Sequence, residues 1–319
     1  MKVYLGIDLG GTNIAAGIVD ESYQIIARGK RKTRLPCDDG LIDDLAAAAN
    51  EAAAAAGISL NDVPWIGIGC PGTINGSTGV VEYANNLYLN NFALREKLEK
   101  ATGRAVLVEN DANAAAYGEY KAGALKGADN AVAVTLGTGV GGGVIIHGQI
   151  YSGSNFAGGE LGHMVIQAGG AACTCGRRGC WEAYSSATAL IRMTREAMAA
   201  HVLKKDSPIW EITNGSLDAV GGRTAFQAMR AGDPIGKEVV DRYISYLACG
   251  VINCVNIFQP DILCIGGGVS NEGESLLEPI RNLVEQNAYN YKNGGKHTVI
   301  CRAQLGNDAG IIGAALLGE

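Results

Sequence analysis

No stretch of this sequence stays apolar for the roughly 20 residues that a membrane span requires. The longest apolar run, Tyr243 to Phe258, is interrupted by Gly250, Asn253 and Asn256. It reads as a core helix, so no membrane association is expected. An unbroken apolar leader is missing as well: behind Met1, "KVYLGIDLGGT" carries Asp8 where an export signal stays apolar. A cytoplasmic location is therefore expected. Nor is there a basic surplus, since 26 Lys and Arg face 32 Asp and Glu, a formal net charge of −6. Neutralising a phosphate backbone takes clustered cations, so nucleic acid is not an expected partner. Two nucleotide signatures are also absent. No Gly-Lys-Ser/Thr closes a glycine loop in the Walker manner, and no glycine turn stands in dinucleotide-binding register.

What is present is apolar and glycine-rich. The 319 residues are 47% hydrophobic and 18% charged, the balance of a soluble globular chain. A single core stops growing at about 250–300 residues, so two domains are expected. The 46 glycines follow apolar runs instead of filling linkers, which points to tight turns that something approaches closely. Val- and Ile-rich runs at "VYLGIDL", "AAGIVD", "WIGIGC", "AVLVEN", "AVAVTL", "GGVIIHG" and "DILCIGGG" predict strands. Helical periods are predicted at "GLIDDLAAAANEAAAAAG", "FALREKLEKATG", "DANAAAYGEYKAGA", 187–200, "GKEVVDRYISYLACGVINCVNIF" and "NDAGIIGAALLG". Strands mixed with helices in this way make an α/β protein.

Within the chain lies an echo. Leu5–Asp20 and Ala133–Gly148 are each a strand, a turn with Gly and Thr, and a second strand, which predicts two similar domains. In register Gly10 faces Gly137 and Gly11 faces Thr138, but Asp8 faces Thr135, so the first copy alone has the carboxylate. Turns of this kind aim backbone N–H groups and a Thr hydroxyl at short range and suit phosphate, although one alone could equally be a hairpin. A third glycine turn, Cys264 to Ser270, strengthens the case for a nucleotide, with Asp8 placed to hold Mg²⁺ directly or through water.

Two further constellations carry chemistry. In "VENDANAAAYGE", Asn110 and Asp111 stand where a strand passes into a helix. Either residue can cap the helix; the sharper possibility makes Asp111 a general base while Asn110 caps. His163, Cys173, Cys175 and Cys180 form the other group, with Gly176 and Gly179 supplying tight turns. Cys173 and Cys175 are too close in sequence to pair without strain, and the expected compartment is reducing. Four N and S ligands predict a closed, structural Zn²⁺ site.

Taken together, "DLGGTN", "GCPG", "ENDANAAAYGE", "GTGVGGG", "GGELGH", "CTCGRRGCWE", "IGGGVS" and "DAGIIGAA" resemble the ROK family of sugar kinases, within the actin and hexokinase superfamily. The resemblance implies two RNase-H-like, actin-like ATPase domains with a central cleft. Residues 1–115, joined by a terminal helix at 308–319, would form the first and residues 116–307 the second. It further implies ATP-dependent phosphorylation of a hexose at the 6-hydroxyl, most often glucose, with N-acetylmannosamine, N-acetylglucosamine and fructose as alternative substrates, and a homodimer. Asp111 corresponds to the catalytic base. Asn110, Glu160, His163 and Glu182 correspond to ligands of sugar hydroxyls, with Gly72, Thr78 and Asn86 beside them. Gly10, Gly11, Thr12, Asn13, Gly137, Thr138, Gly139, Gly141 and Gly142 match the phosphate loops, with Asp8 among them. Gly266 and Gly267 fall where the family contacts the nucleoside. Many of its glucokinases read Asn-Leu-x-Trp where this chain has Leu89 in the last position, which leaves the sugar open. Family repressors place a helix-turn-helix ahead of the core, whereas here the first glycine turn begins at Gly6. A sensor without activity would not need Asp8, Asp111 and both loops. The histidine among the cysteines also gains a double use: one ring nitrogen on zinc would fix the other towards a sugar hydroxyl.

Overall fold

A computed structural model describes residues 2–201, 206–289 and 291–319. The chain divides into two compact units, one formed by the chain up to Ala133 with Gly143–Gly159 and Gln304–Glu319, the other by Val134–Gly142 and Glu160–Ala303. Residues 116–133 and 143–159 thus group with the first unit, while the resemblance draws its line at 115.

The first sheet is built around β1 (Val3–Leu9), whose unalternated apolar side chains are buried on both faces. β2 (Asn13–Asp20) runs antiparallel to it, and β3 (Ile25–Lys32) antiparallel to β2. After helix α1 (Gly40–Ala55), β4 (Ile66–Cys70) joins the other side of β1 in parallel. β5 (Thr73–Asn75), β6 (Val80–Ala84) and β7 (Leu89–Phe92) form a small separate sheet. Helix α2 (Leu94–Thr102), ended by Gly103 in the left-handed conformation, leads to β8 (Val106–Asn110) and α3 (Asp111–Ala122). The order is β3-β2-β1-β4-β8.

A second sheet repeats this plan. β9 (Ala131–Leu136), β10 (Val140–Ile146) and β11 (Gln149–Ile150) precede a helical stretch. That stretch holds α4 (Glu182–Ser185), α5 (Ala187–Ala200), α6 (Pro208–Ile212), α7 (Thr224–Arg230) and α8 (Pro234–Phe258). β12 (Ile262–Gly266), α9 (Glu274–Asn287), β13 (Val299–Arg302) and α10 (Ala309–Ala315) complete the chain. The second order is β11-β10-β9-β12-β13, so both sheets read 3-2-1-4-5 by appearance. The echo heard in the sequence is therefore the pair β1–β2 and β9–β10. Among the described residues no helix is long and apolar enough to cross a membrane, and the run Tyr243–Phe258 is the second half of α8, buried along one face and exposed at Ser245, Asn256 and Ile257.

Helix α10 is what ties the first unit together. It packs along α3 and across β1 and β4. Backbone meets backbone there: a Cβ at Gly67 would lie 1.8 Å from the Ala314 carbonyl oxygen, and one at Gly313 only 1.7 Å from that of Ala114. Beside the crossing, Glu119 is 3% exposed. Its carboxylate accepts the N–H groups of Ala124, Gln304 and Leu305 at 2.7–3.1 Å. Basic residues do gather in one place, contrary to the sequence reading. Arg28, Lys30, Arg31 and Lys32 lie along the edge strand β3, where Arg28 pairs with Asp308 and Arg31 with Glu51. Charge along an exposed edge deters pairing with other strands.

Candidate active site

Two acids of the first unit, Asp8 and Asp111, meet at the head of α3. Asn110 takes the capping role: its Oδ1 accepts the N–H groups of Ala112 and Asn113 at 2.9 and 3.1 Å, while its Nδ2 donates to the Gly72 carbonyl at 3.0 Å. Gly72 has φ +107°, and a Cβ there would lie 2.1 Å from the Tyr83 carbonyl oxygen, so only glycine fits this turn. Asp111, freed from capping, uses Oδ1 to accept the Ala112 N–H at 2.9 Å. Burial raises its carboxyl above the ordinary range, against the pull of the Ala112 N–H and its own. Asp8, at the end of β1, is raised from 3.8 to about 6 by burial first and by the Asp111 charge second. Two acids held in mutual repulsion are a natural seat for a cation, and the donor set of hard oxygens fits Mg²⁺.

Around this pair the other expected residues differ in placement. Gly10–Asn13 make the β1–β2 turn, closed by the Gly10 N–H on the Asn13 carbonyl at 2.9 Å. Asn86 approaches this turn, its carbonyl oxygen 3.7 Å from where a Gly11 Cβ would stand. Thr78 is bonded within its own turn: its N–H bonds Asn75 Oδ1 and its hydroxyl accepts the Val80 N–H at 3.4 Å. Leu89 is 4% exposed, part of the core and not of the surface beside Asn86.

The second unit carries the other loops. Gly137–Gly139 turn from β9 into β10, with the Gly137 N–H on the Gly139 carbonyl at 3.0 Å, and Gly141 and Gly142 continue within β10. Gly267 has φ +82°, and a Cβ there would lie 2.3 Å from the Leu136 carbonyl oxygen. The third glycine turn, Gly266–Gly267, is thereby pressed against the end of β9.

His163, Cys173, Cys175 and Cys180 come together, their ligand atoms all within 4.8 Å of one another. The loop is a ribbon, with bridges Val165 to Cys180 and Ala172 to Arg178, and Trp181 roots it. That indole is fully buried, donates Nε1–H to the Tyr246 carbonyl at 3.1 Å, and lies against Gly250 of α8. The N–H of Arg177 draws the Cys175 thiol down to about 7, whereas burial drives Cys173 up to about 11. Three sulfurs and an imidazole suit a metal ion, which would hold the thiols deprotonated. His163 turns Nδ1 to Cys173 Sγ at 3.7 Å and Nε2 to Glu160 Oε2 at 4.0 Å. The ring is thus shared between the cluster and the exposed carboxylate. Glu182 follows the same loop at the start of α4, Oε2 accepting the Val140 N–H at 3.0 Å.

Sequence reasoning missed the braces of these loops. Glu109 accepts the Asn110 N–H at 2.8 Å and Asn113 Nδ2 at 3.0 Å, fixing the capping residue from behind. Thr33 donates its hydroxyl to the Gly10 carbonyl at 2.6 Å. Thr188 does the same to the Thr138 carbonyl at 2.9 Å. Glu109 stands beside Asn110 in the quoted motif and could have been found as a neighbouring acid; nothing local marks Thr33 or Thr188.

A sheet order used twice, with glycine turns after the first strand of each set, defines an actin-like ATPase fold. The ROK family model matches residues 4–319, and the chain belongs to that family. A glucokinase of Thermotoga maritima is 38% identical over 315 residues, 98% of this chain and 95% of that protein. One from Streptomyces coelicolor is 36% identical over 318 residues, 99% of this chain and 97% of that protein. The crystal structure of a ROK family glucokinase from Streptomyces griseus, in complex with glucose and AMPPNP, aligns with a TM-score of 0.79 at 36% identity over 98% of both chains.

Proposed function

We propose that the chain is an ATP-dependent hexose kinase that transfers the γ-phosphoryl group to the 6-hydroxyl of glucose. One observation carries this: Asn110 does the capping, so Asp111 keeps an oxygen for a bound hydroxyl at the head of α3. The near full-length likeness to glucokinases supports the choice of sugar.

In this mechanism Asp111 accepts the hydroxyl proton through Oδ2 as the sugar oxygen attacks the γ-phosphorus in line, and ADP leaves. Its raised carboxyl sits closer to neutrality, which makes it the better proton acceptor. Little covalent work is left to the protein, so positioning and charge neutralisation dominate. Magnesium bound with the nucleotide would supply that neutralisation, and Asp8 would hold it directly or through water. Sugar hydroxyls are assigned to Asn110, Glu160, His163 and Glu182, with Gly72, Thr78 and Asn86 in support. Phosphates are assigned to Gly10–Asn13 and Gly137–Gly142, the nucleoside to Gly266 and Gly267.

The ion at the four-ligand cluster is assigned as structural zinc. Thiols needed as ligands fit a reducing compartment, the cytoplasm. Actin-like halves at 1–115 with 308–319, and at 116–307, belong to the same proposal; each would hold one whole 3-2-1-4-5 sheet. So does the homodimer that the resemblance implies.

The test is a coupled ADP-release assay with ATP·Mg²⁺ against glucose, N-acetylglucosamine, N-acetylmannosamine, fructose and mannose. Glucose is expected to give the highest kcat/KM. Preference for an N-acetyl sugar moves the substrate and keeps the chemistry, while no turnover with any of them ends the kinase reading. Asp111→Asn is expected to lower kcat by about 10²–10⁴, the range of general-base catalysis, with sugar affinity little changed.

A further inference from the structure

Glu182 is assigned to the sugar, and both of its oxygens also accept bonds inside the protein. Oε2 accepts the Val140 N–H at 3.0 Å. Oε1 accepts the Thr174 hydroxyl at 3.2 Å. Gly139 lies so near that a Cβ there would come within 2.2 Å of Oε2. Thr174 stands between two ligands of the four-ligand cluster, whereas Gly139 and Val140 are the exit of the donor-phosphate turn. One carboxylate therefore spans the two loops.

The neighbouring bonds run the same way. Just beyond Glu182, the Ala187 N–H donates to the Gly137 carbonyl at 2.9 Å and the Thr188 hydroxyl to the Thr138 carbonyl at 2.9 Å. Every residue of the turn Gly137–Val140 except Gly139 is thus bonded by the stretch 182–188, and Gly139 is touched by it. That stretch starts where the cysteine loop ends, at Cys180 and the buried Trp181. A turn that binds phosphate through its own N–H groups needs those groups held in one direction before the ligand arrives.

We propose that Glu182 is a positioning residue that couples the cysteine loop to the donor-phosphate turn, so that order at the four-ligand cluster is passed to nucleotide binding. This deepens the kinase reading and rests on it. A sugar ligand with no such duty would affect sugar affinity alone, whereas the coupling acts on the nucleotide even with no sugar present.

The test is calorimetric binding of AMPPNP·Mg²⁺ without sugar. Glu182→Ala is expected to raise the Kd about tenfold, and Glu182→Gln, which keeps one acceptor for the Val140 N–H, by about two- to fourfold. Thr174→Val, an exposed position that cuts only the outer tether, is expected to resemble the Gln variant. Removing zinc with a selective chelator should weaken AMPPNP in the parent chain and add little in Glu182→Ala, the non-additivity of one shared path. An unchanged AMPPNP Kd in Glu182→Ala with weakened glucose binding overturns the coupling and leaves a plain sugar ligand. Fully additive effects of chelation and substitution overturn it too. Circular dichroism checks the fold; should the Ala variant unfold, the Gln and Thr174→Val chains make the same comparison. A parent chain that fails to bind AMPPNP overturns the kinase reading together with the coupling, which separates the two failures.

Discussion

Burial changes the titration of Asp8 in a way that can be measured. Its carboxyl is raised from 3.8 to about 6, so between those values the folded chain keeps a proton that the unfolded chain has released. Stability therefore falls as pH rises through that window, and at neutral pH the ionised pair Asp8 and Asp111 costs the ligand-free fold something. Asp8→Asn keeps the shape and removes the charge. It is expected to stabilise the ligand-free chain by about 1–3 kcal/mol at pH 7 and by almost nothing at pH 4. Nucleotide binding with Mg²⁺ should weaken in the same variant. Urea denaturation at the two pH values decides it: a variant no more stable than its parent at pH 7 refutes the argument. At this scale much was legible in the sequence. The Asn-Asp pair was visible, including Asn110 as the cap, because capping chemistry is local. Glu182 was visible as a residue but not as a bridge. Its partner Val140 lies 42 positions away, and no spacing rule connects a carboxylate to a backbone N–H at that distance.

Elements were legible where periodicity was strong. The apolar runs became β1, β2, β4, β8, β9, β10 and β12, since strands buried on both faces announce themselves by continuous Val and Ile. β3 did not, because beyond Ile26 its outward positions are Arg and Lys, and α9 carries Pro279, a residue that argues against helix. The crossing of α3 and α10 was also hidden: small residues in "DAGIIGAA" suit helix packing in general, but their partner Ala114 is fixed only by the fold. Gly313→Ala tests that crossing. With a Cβ 1.7 Å from the Ala114 carbonyl oxygen, the two helices must part, and both Asp8 and Asp111 adjoin them. A loss of about 3–5 kcal/mol is expected in urea denaturation, above the usual cost of overpacking because backbone and not side chain must move. A loss below about 1 kcal/mol, within the range of tolerated substitutions, would show that the helices have room to spare.

For the whole molecule, the internal echo foretold a duplicated sheet but not where the chain would partition, because a repeat fixes local strand order and says nothing about which segments pack together. The four-ligand loop tests how far a small site supports a large fold. Two anchors hold that loop: the Val165 to Cys180 and Ala172 to Arg178 bridges with the ligand cluster at one end, and Trp181 against α8 at the other. Only the first would depend on the proposed zinc. Cys175→Ser removes an exposed ligand and leaves Trp181 in place. The parent chain is expected to carry about one zinc per chain by atomic emission, and the variant clearly less. Limited proteolysis should then cut the variant between residues 165 and 180 while the rest resists, because local opening costs far less than global unfolding when the core anchor survives. The melting temperature should drop only modestly. Collapse of the whole fold in Cys175→Ser would make the metal part of the global core, and a metal-free parent whose loop resists protease equally well would remove the metal from the account.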